Sequence, residues 1–379
     1  MIDTATLRSQ ARAGAWLRSW HRRVGIALML VFVVAAISGS TLVYRDAILR
    51  NTVAAGISAQ PQWFTAPQLA RDIALIESQF PDIAKGYAKP PSPERPFWIV
   101  MDQNRNSTLL APVSLQPLSG YSGLVRALDW LRALHVELLL GMTGELVLLA
   151  SGIGGLFFVI SGLVLWWPMR RRLRAATLLP RRMKRGPVLI SHRNLGALLA
   201  PLVALSMLSG AYMLGRGLVI HLTTPEPAAA ASAQPPSTDR ASSEPASAAA
   251  SATRNPSMDQ LLLAATAALP EGQITVISFP DASSGYARFR MRLPDEWHVN
   301  GRTTVAVRAS DGHVPDFQRA DQLPPTARFS NLMYPLHSAY GLNTVFRLSV
   351  FIAGLVTLWL SVSGVMSWVM GRRKHRAFG

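Results

Sequence analysis

The sequence predicts an integral membrane α-helical protein with four transmembrane helices and two small α+β modules outside the membrane. Four apolar runs are each long enough to span a bilayer, and two long polar stretches separate them. The histidines and glycines of the first two runs recur at matched spacings around the last two, which predicts an internal duplication. A mean hydropathy of +0.22 agrees with this fold class and is high for a soluble protein.

The apolar runs are predicted transmembrane helices because a hydrocarbon core of about 30 Å requires roughly 20 apolar residues. The first run is longer than the apolar region of a signal peptide, which has about 7–15 residues. We therefore interpret it as a helix that stays in the protein. The predicted helices cover residues 24–44, 145–167, 195–220 and 346–370.

The distribution of charge predicts how these helices are oriented. The net charge of +17 is concentrated in residues 1–23, 168–193 and 371–379, which carry +4, +9 and +4. The long stretches 46–143 and 222–345 carry 0 and −2. Because basic residues stay on the cytoplasmic side, we expect both termini and the basic loop to be cytoplasmic and both modules to lie outside. Topology in a lipid membrane thus explains the basic surplus, and we expect no nucleic-acid partner.

Each long polar stretch has the pattern of a small α+β module. Residues 224–256, at the start of the second stretch, are rich in Ala, Pro and Ser and predict a flexible linker. The predicted helices are residues 66–80 and 257–270, and the predicted strands are 96–102, 107–113, 274–280, 286–293 and 303–310. Six aromatic residues of the modules and their flanks are expected in a core, at the membrane interface or on a surface for an organic ligand: Trp63, Phe64, Trp98, Tyr121, Trp297 and Tyr340.

The first and third apolar runs begin with related segments, "WHRRVG" and "SHRNLG". In each, the histidine precedes a later Ser-Gly pair by the same spacing, 18 residues from His21 to Gly39 and from His192 to Gly210. Since both runs enter the membrane in the same direction, the two halves should be related by a pseudo-two-fold axis along the membrane normal.

The second and fourth runs repeat in the same way. The spacing is 27 residues from His135 to Gly162 and again from His337 to Gly364, and a serine precedes both glycines. The duplication therefore places His21 with His192 at the cytoplasmic end, and His135 with His337 at the outer end.

These four histidines are candidate ligands of haem iron. Two imidazoles at one depth suit the two axial positions of a haem, and the absence of cysteine excludes thiolate-ligated haem and iron–sulfur clusters. Zinc or copper would normally recruit more ligands than either pair offers. For any single histidine the alternative is an interfacial or packing role, which the symmetric arrangement of four makes less favoured.

Two other groups of residues are compatible with haem. Arg22 and Arg193 directly follow the inner histidines and are candidates for binding propionates, although the positive-inside rule explains them equally well. The recurring glycines either make room for a flat macrocycle or let helices pack closely. They are Gly25, Gly39, Gly162, Gly196, Gly210 and Gly364.

The outer pair requires a break or an extension in its helix. A continuous helix from His135 to Trp167 would be about 48 Å long, which exceeds the membrane thickness. Either His135 lies beyond the outer boundary, or the helix breaks at "GMTG", residues 141–144.

The chain resembles the PepSY-associated transmembrane family, and most closely its FoxB-type inner-membrane ferrisiderophore reductases. The resemblance rests on "SWHRRVG", "LHVELLLGMTG", "SHRNLGALL" and "LHSAYG", and on the Ser-Gly pairs that follow them. It implies a multi-pass protein of the bacterial inner membrane with PepSY-like periplasmic modules and two b-type haems. It further implies His21, His192, His135 and His337 as iron ligands, and reduction of a ferric siderophore.

The leading hypothesis is a transmembrane electron conduit that reduces a periplasmic ferric siderophore and releases its iron. The glycine-rich "SGIGGLFF" lies inside an apolar run with no strand before it, so it does not predict a nucleotide site. The electron donor is therefore expected to be external, either a quinol or a partner reductase. The alternatives are a transporter of siderophore or metal, a conduit to another periplasmic acceptor, and a regulatory binding protein.

Overall fold

The computed structural model describes residues 4–53, 64–81, 86–102, 106–223, 255–280 and 284–376. Trp63 and residues 224–254 of the predicted linker lie outside this part of the chain. The chain divides into two compact units. The helical unit comprises Met1–Val43, Trp130–Thr223 and Leu336–Gly379, and the sheet unit comprises Tyr44–Asp129 and Thr224–Pro335.

The helices and strands alternate between these two units along the chain. The helices are α1 (Thr4–Leu42), α2 (Arg45–Val53), α3 (Ala66–Gln79), α4 (Ser122–Glu137), α5 (Met142–Trp166), α6 (Arg185–Leu198), α7 (Ala200–Thr223), α8 (Met258–Ala268), α9 (Pro325–Ser338) and α10 (Thr344–Arg376). The strands are β1 (Tyr87–Lys89), β2 (Trp98–Met101), β3 (Ser107–Leu110), β4 (Gln273–Ser278), β5 (Tyr286–Arg292) and β6 (Thr303–Arg308).

Four helices among the described residues are long and apolar enough to cross a membrane, as predicted. They are Arg12–Leu42, Met142–Arg172, Ala200–Ile220 and Thr344–Arg372. Within the helical unit, α1 packs along α10 and α5 packs along α7. The sequence and the structure thus agree on a membrane protein with four helical spans.

The third span differs from the prediction because its helix is interrupted. α6 ends at Leu198 and α7 begins at Ala200, with Leu199 outside the helical conformation between them. Pro201 follows directly, and a proline removes one backbone hydrogen bond and displaces the preceding turn. The first span has no proline in this region, so α1 continues unbroken for 39 residues.

The helices that carry the outer histidines break shortly after them. α4 ends at Glu137, and Leu138, Leu139 and Gly141 have positive φ angles of 51°, 60° and 57° before α5 begins. In the second half, Ala339 and Gly341 have φ angles of 56° and 76° between α9 and α10. Of the two alternatives given for the outer pair, the structure therefore has the helix break, which begins at Leu138, three residues before "GMTG", and ends where α5 begins at Met142.

The sheet unit contains one antiparallel sheet with the strand order β3-β2-β1-β4-β5-β6. The strands of the two predicted modules therefore form one sheet, because β1 of the first stretch pairs with β4 of the second. A three-stranded sheet in each module would leave an unpaired edge at this position, and pairing the two edges satisfies their backbone groups. β1 itself was not predicted, since it has three residues and two prolines follow it.

The core of the sheet unit lies between the sheet and helices α3 and α8. Leu69, Ile73 and Leu262 of these helices pack against buried side chains of the sheet, including Trp98 and Phe289. Trp98 is fully buried there, which excludes it from the predicted ligand surface. The opposite face of β2 and β3 is covered by α2 and α4 through a second apolar cluster: Leu49, Val53, Phe97, Ile99, Leu109, Val125 and Leu128.

The boundaries of the units also differ from the predicted modules. Residues 130–143 and 336–345 belong to the helical unit, whereas the predicted outer stretches 46–143 and 222–345 include them. His135 and His337 are thereby part of the same compact unit as the spans.

Candidate functional site

The helical unit brings together the two histidines of each predicted pair. The ring centroids of His21 and His192 are 6.3 Å apart, with an angle of 82° between the ring planes. Those of His135 and His337 are 6.1 Å apart, with an angle of 37°. We call these the 21/192 pair and the 135/337 pair.

The two pairs lie at different levels along α1. His21 belongs to this helix, and Ser38, which contacts His135, follows it by 17 positions on the same helix. At 1.5 Å per residue, this spacing corresponds to about 26 Å. The pairs are therefore separated by most of the thickness of a hydrocarbon core.

In the 21/192 pair, each imidazole is held by a serine of a neighbouring helix. Nδ1 of His21 lies 2.8 Å from Oγ of Ser161 on α5. Nδ1 of His192 lies 3.0 Å from Oγ of Ser363 on α10. Both serines immediately precede the recurring glycines of the sequence repeat, Gly162 and Gly364.

The 135/337 pair has the same arrangement on different helices. Nδ1 of His135 lies 3.0 Å from Oγ of Ser38 on α1, and Nδ1 of His337 lies 3.1 Å from Oγ of Ser209 on α7. Nδ1 of His337 also lies 3.1 Å from the carbonyl oxygen of Ser206. All four histidines are therefore anchored through Nδ1.

These hydrogen bonds determine the tautomer of the imidazoles. The hydroxyl of Ser38 donates to the carbonyl oxygen of Val34 at 2.6 Å, so its oxygen accepts from Nδ1–H of His135. Ser161, Ser209 and Ser363 likewise donate to carbonyl oxygens of their own helices. Nε2 of each histidine then carries a lone pair, which is the donor that a metal requires.

The glycine after each serine leaves room for the imidazole. A Cβ atom on Gly39 would lie 2.7 Å from Cε1 of His135, and one on Gly210 would lie 2.9 Å from Cε1 of His337. At Gly162 and Gly364 the corresponding distances to His21 and His192 are 3.7 and 3.5 Å. The glycines of the 135/337 pair are thus required by close contact, whereas the other two sites have ordinary spacing.

The remaining recurring glycines lie against large apolar side chains. A Cβ on Gly25 would be 3.8 Å from the ring of Phe158, and one on Gly196 would be 3.3 Å from Leu360. The ring of Phe158 also meets His21 edge-on, with 5.2 Å between centroids. Close helix packing therefore accounts for these two positions.

The chemistry of the donor set fits haem better than an isolated metal ion. Two metal–nitrogen bonds of about 2 Å and two ring radii of about 1.1 Å place axial imidazole centroids roughly 6 Å apart. The observed separations are 6.3 and 6.1 Å. Among the described residues, no three His, Cys, Asp or Glu side chains form a metal-binding group. Two nitrogen donors per pair suffice for haem, whose porphyrin supplies the other four, but not for a typical zinc site.

The two arginines predicted to bind propionates are placed differently. Arg22 is exposed. Arg193 is half-buried, with Nε donating to Oδ1 of Asn194 at 3.3 Å and Nη1 lying 2.7 Å from the sulfur of Met169. Neither arrangement tests their role towards haem, so both remain predictions.

The four serines are the candidate site residues that sequence reasoning did not assign. Their position before four of the six recurring glycines was visible in the repeat, but their contacts with the histidines join residues 97 to 171 positions apart on different helices. The signal that identifies them is the coincidence of the Ser-Gly pair with a histidine at a fixed spacing in both halves.

Comparison with known protein families matches the chain to the model described as the PepSY-associated TM region, over residues 18–370. This range includes all four histidines and all four serines. A comparison with curated proteins gives no match.

Proposed function

The chain belongs to the PepSY-associated TM region family, and from this premise we propose that it is a dihaem oxidoreductase of the bacterial inner membrane. In this proposal it carries electrons across the membrane to a periplasmic ferric siderophore, as the FoxB-type reductases do. The observation that carries the proposal is a pair of neighbouring imidazoles, present twice and each time fixed through Nδ1 by serine.

Each pair of histidines would hold the iron of one b-type haem through Nε2. Haem would supply a one-electron Fe(III)/Fe(II) couple at each of the two levels. The serines keep Nδ1 protonated and hold the rings in place, and an acceptor at Nδ1–H increases the basicity of Nε2. Gly39 and Gly210 allow α1 and α7 to approach the outer imidazoles closely.

We also propose that the two halves arose by duplication. The Ser–His contacts relate α1 to α4 in the same way as α7 to α9, and α5 to α1 as α10 to α6. The antiparallel pairing of β1 with β4, the first strands of the two halves, agrees with a two-fold axis through the sheet. Under the positive-inside rule, both termini are cytoplasmic and the sheet unit is periplasmic.

The proposed reaction consumes one electron per ferric ion. A quinol, which releases two electrons and two protons on oxidation, or a partner reductase would supply these electrons near the 21/192 pair. The electron reaches the acceptor near the 135/337 pair, and Fe(III) is reduced to Fe(II). Hard oxygen ligands bind Fe(II) less tightly than the more highly charged Fe(III), so reduction favours release of iron.

The first test is the visible spectrum and haem content of the purified protein. We expect a Soret band that responds to dithionite, low-spin α and β bands, and two haems per chain. His21→Ala and His192→Ala should each remove the same haem, and His135→Ala and His337→Ala should remove the other. His313→Ala, which changes an exposed histidine of the sheet unit, should retain both.

Two results would refute the haem assignment. One is a colourless protein that remains colourless after incubation with haemin, and the other is a set of variants in which losses do not follow the two pairs. If the haem losses do follow the two pairs, a transport function alone would not explain why each pair of histidines binds a haem.

A second test addresses the acceptor. The protein is reduced anaerobically, mixed with a ferric siderophore, and followed through reoxidation of the Soret band while a ferrous chelator traps the product. We expect one ferrous ion per electron delivered. Haem that is present but not reoxidised by any ferric siderophore would indicate a conduit to another periplasmic acceptor.

A further inference from the structure

The sheet unit has a strongly basic region on the face that α3 and α8 do not cover. Ala88, Ile277 and Phe289 are paired neighbours across β1, β4 and β5, and their side chains enter the apolar core. Side chains alternate between the faces of a strand. The next row, containing Lys89, Val276 and Arg290, therefore lies on the opposite face.

Further cations surround this row. Arg95, which precedes β2, is only 5% exposed and acts electrostatically on Lys89. Arg302, which precedes β6, acts on Arg290 and on the buried His298. Arg292 follows Arg290 on the same face of β5 and also acts on His298. We call these five cations the cationic cluster: Lys89, Arg95, Arg290, Arg292 and Arg302.

Two acidic groups act on Lys89 and Arg290, and each of them also has another partner. Asp46 acts on Lys89 but is paired with Arg45 at 3.6 Å. Glu296 acts on Arg290, and its Oε2 accepts a hydrogen bond from the backbone N–H of Leu293 at 3.2 Å. Asp46 and Glu296 are thus the carboxylates that act on Lys89 and Arg290, and Asp46 also pairs with Arg45.

The hydrogen bonding of Arg290 is incomplete. Nε of Arg290 is buried and has no hydrogen-bond partner. Burial and the charge of Arg95 lower the pKa of Lys89 to about 7. Burial and Arg302 lower the pKa of His298 to about 2, so this imidazole is neutral and adds no charge. A buried guanidinium nitrogen without a hydrogen-bond partner is costly, and an anionic oxygen that accepts from Nε of Arg290 would remove much of that cost.

We propose that the cationic cluster is a binding site for an oxyanion that carries at least two negative charges, such as a phosphate or a polycarboxylate. Arginine guanidinium groups bind such oxygens through paired N–H donors, and lysine adds a compact charge. The inference uses only residues of the sheet unit and does not depend on haem.

Binding is measured by calorimetry and by thermal unfolding of the full-length protein in detergent, titrated with inorganic phosphate and with citrate. We expect saturable binding that raises the unfolding temperature and weakens as sodium chloride increases. Arg290→Gln should reduce the affinity at least about tenfold, because it removes a charged donor from the site. The matched control is Arg288→Gln, which changes the same residue type on the same strand and face, and should stay within about twofold of wild type.

Short-chain, water-soluble lipids distinguish a free anion from a phosphate that belongs to a lipid. The wild-type protein and both variants, in the same detergent, are titrated with short-chain phosphatidylglycerol and phosphatidylcholine. If the site takes a lipid phosphate, phosphatidylglycerol binds Arg290→Gln less tightly than Arg288→Gln, while soluble phosphate and citrate bind weakly. If it takes a free anion, the two variants differ with phosphate and citrate only. Either pattern supports the site.

The inference is overturned if neither the soluble anions nor short-chain phosphatidylglycerol separate Arg290→Gln from Arg288→Gln, or if the wild-type protein binds none of them. If Arg290→Gln does not fold, Lys89→Met provides the second variant, with the same expected loss of affinity. Loss of haem binding in the histidine variants would leave this result unchanged, so the two proposals fail independently.

Discussion

Oγ of Ser38 accepts a hydrogen bond from Nδ1 of His135 at 3.0 Å, across 97 positions of the chain. Ser38 lies one residue before Gly39, whose missing side chain is what allows the imidazole to approach α1. One Ser-Gly dipeptide thus fixes both the tautomer and the position of a candidate iron ligand. A Ser-Gly dipeptide of another helix contacts each of the other three histidines through its serine in the same way. This dipeptide is therefore the repeated structural unit of the site.

The first prediction concerns the serine. Ser38→Ala removes the acceptor for Nδ1–H of His135, which lowers the basicity of Nε2 and stabilises ferric iron less. We expect the midpoint potential of one haem to rise by about 20–60 mV, the equivalent of a hydrogen bond of about 0.5–1.5 kcal/mol in a one-electron couple. A spectroelectrochemical titration measures both potentials, and the other haem should not change.

The control for this variant is Ser40→Ala. Ser40 is buried on the same helix, and its Oγ has no hydrogen-bond partner. Its removal should leave both potentials within experimental error. Equal shifts in both variants would mean that the change acts through the packing of α1 and not through His135.

The second prediction separates the two pairs of histidines through their glycines. A Cβ at Gly39 or Gly210 would lie 2.7 or 2.9 Å from an imidazole carbon, which is closer than side chains approach, so Gly39→Ala and Gly210→Ala should displace His135 and His337. We expect each variant to retain one haem in place of two. Gly162→Ala and Gly364→Ala add a Cβ at 3.7 and 3.5 Å and should retain both.

Helix propensity alone would predict that Gly39→Ala stabilises α1, so a loss of haem in this variant cannot come from a weaker helix. Alanine is favoured over glycine inside a helix by about 1 kcal/mol, so Gly39→Ala should not weaken α1 itself. Pyridine haemochrome analysis gives the haem content, and circular dichroism verifies the helices. Full haem content in Gly39→Ala would contradict the close contact seen in the structure.

Spans and histidine pairs could be predicted from the sequence because a helix has a fixed rise per residue. The 18-residue spacing from His21 to Gly39 lies within the unbroken helix α1 and converts directly into a distance along its axis. The other three spacings from histidine to glycine cross helix breaks, and for them the match between the two halves made the prediction possible. The interruption at Leu199 could not be predicted from spacing, because it depends on the backbone conformation next to Pro201. The serine contacts join different helices, and no spacing within one helix contains that information.

The sheet was only partly predictable for a related reason. Alternating side chains identified most strands, but the pairing of Ala88 with Ile277 joins residues 189 positions apart. Nothing in either segment alone indicates that two three-stranded sheets share an edge. Likewise, Lys89 and Arg290 became members of one cluster only when this pairing placed them in one row.

The third prediction concerns the turn between α4 and α5. A Cβ on Gly144 would lie 1.7 Å from the carbonyl oxygen of Glu137, two residues after His135, so Gly144→Ala forces the turn open. We expect loss of the haem bound by the 135/337 pair with retention of the other haem. Gly123→Ala, at the start of α4, meets no atom within 4 Å and should retain both. Loss of both haems in Gly144→Ala would show that the turn stabilises the whole helical unit.

The fourth prediction concerns the pH dependence of the sheet unit. Burial raises the pKa of Asp72 on α3 to about 6, with Arg71 acting in the opposite direction. A carboxyl group with a raised pKa in the folded state contributes stability below its unfolded pKa of about 4, and this contribution is lost as pH rises through about 6. Because the side chain is only partly buried, we expect the change to be on the order of 1 kcal/mol. Asp72→Asn should therefore be as stable as wild type at pH 4 and more stable at pH 7.

Thermal unfolding of the full chain, followed by the β-sheet signal at several pH values, provides the comparison. The neighbouring Glu77 also has a raised pKa, through burial and through Asp259, and it titrates in both proteins. The difference between the two curves consequently isolates Asp72, and a variant that loses stability at pH 7 would contradict the burial of its charge.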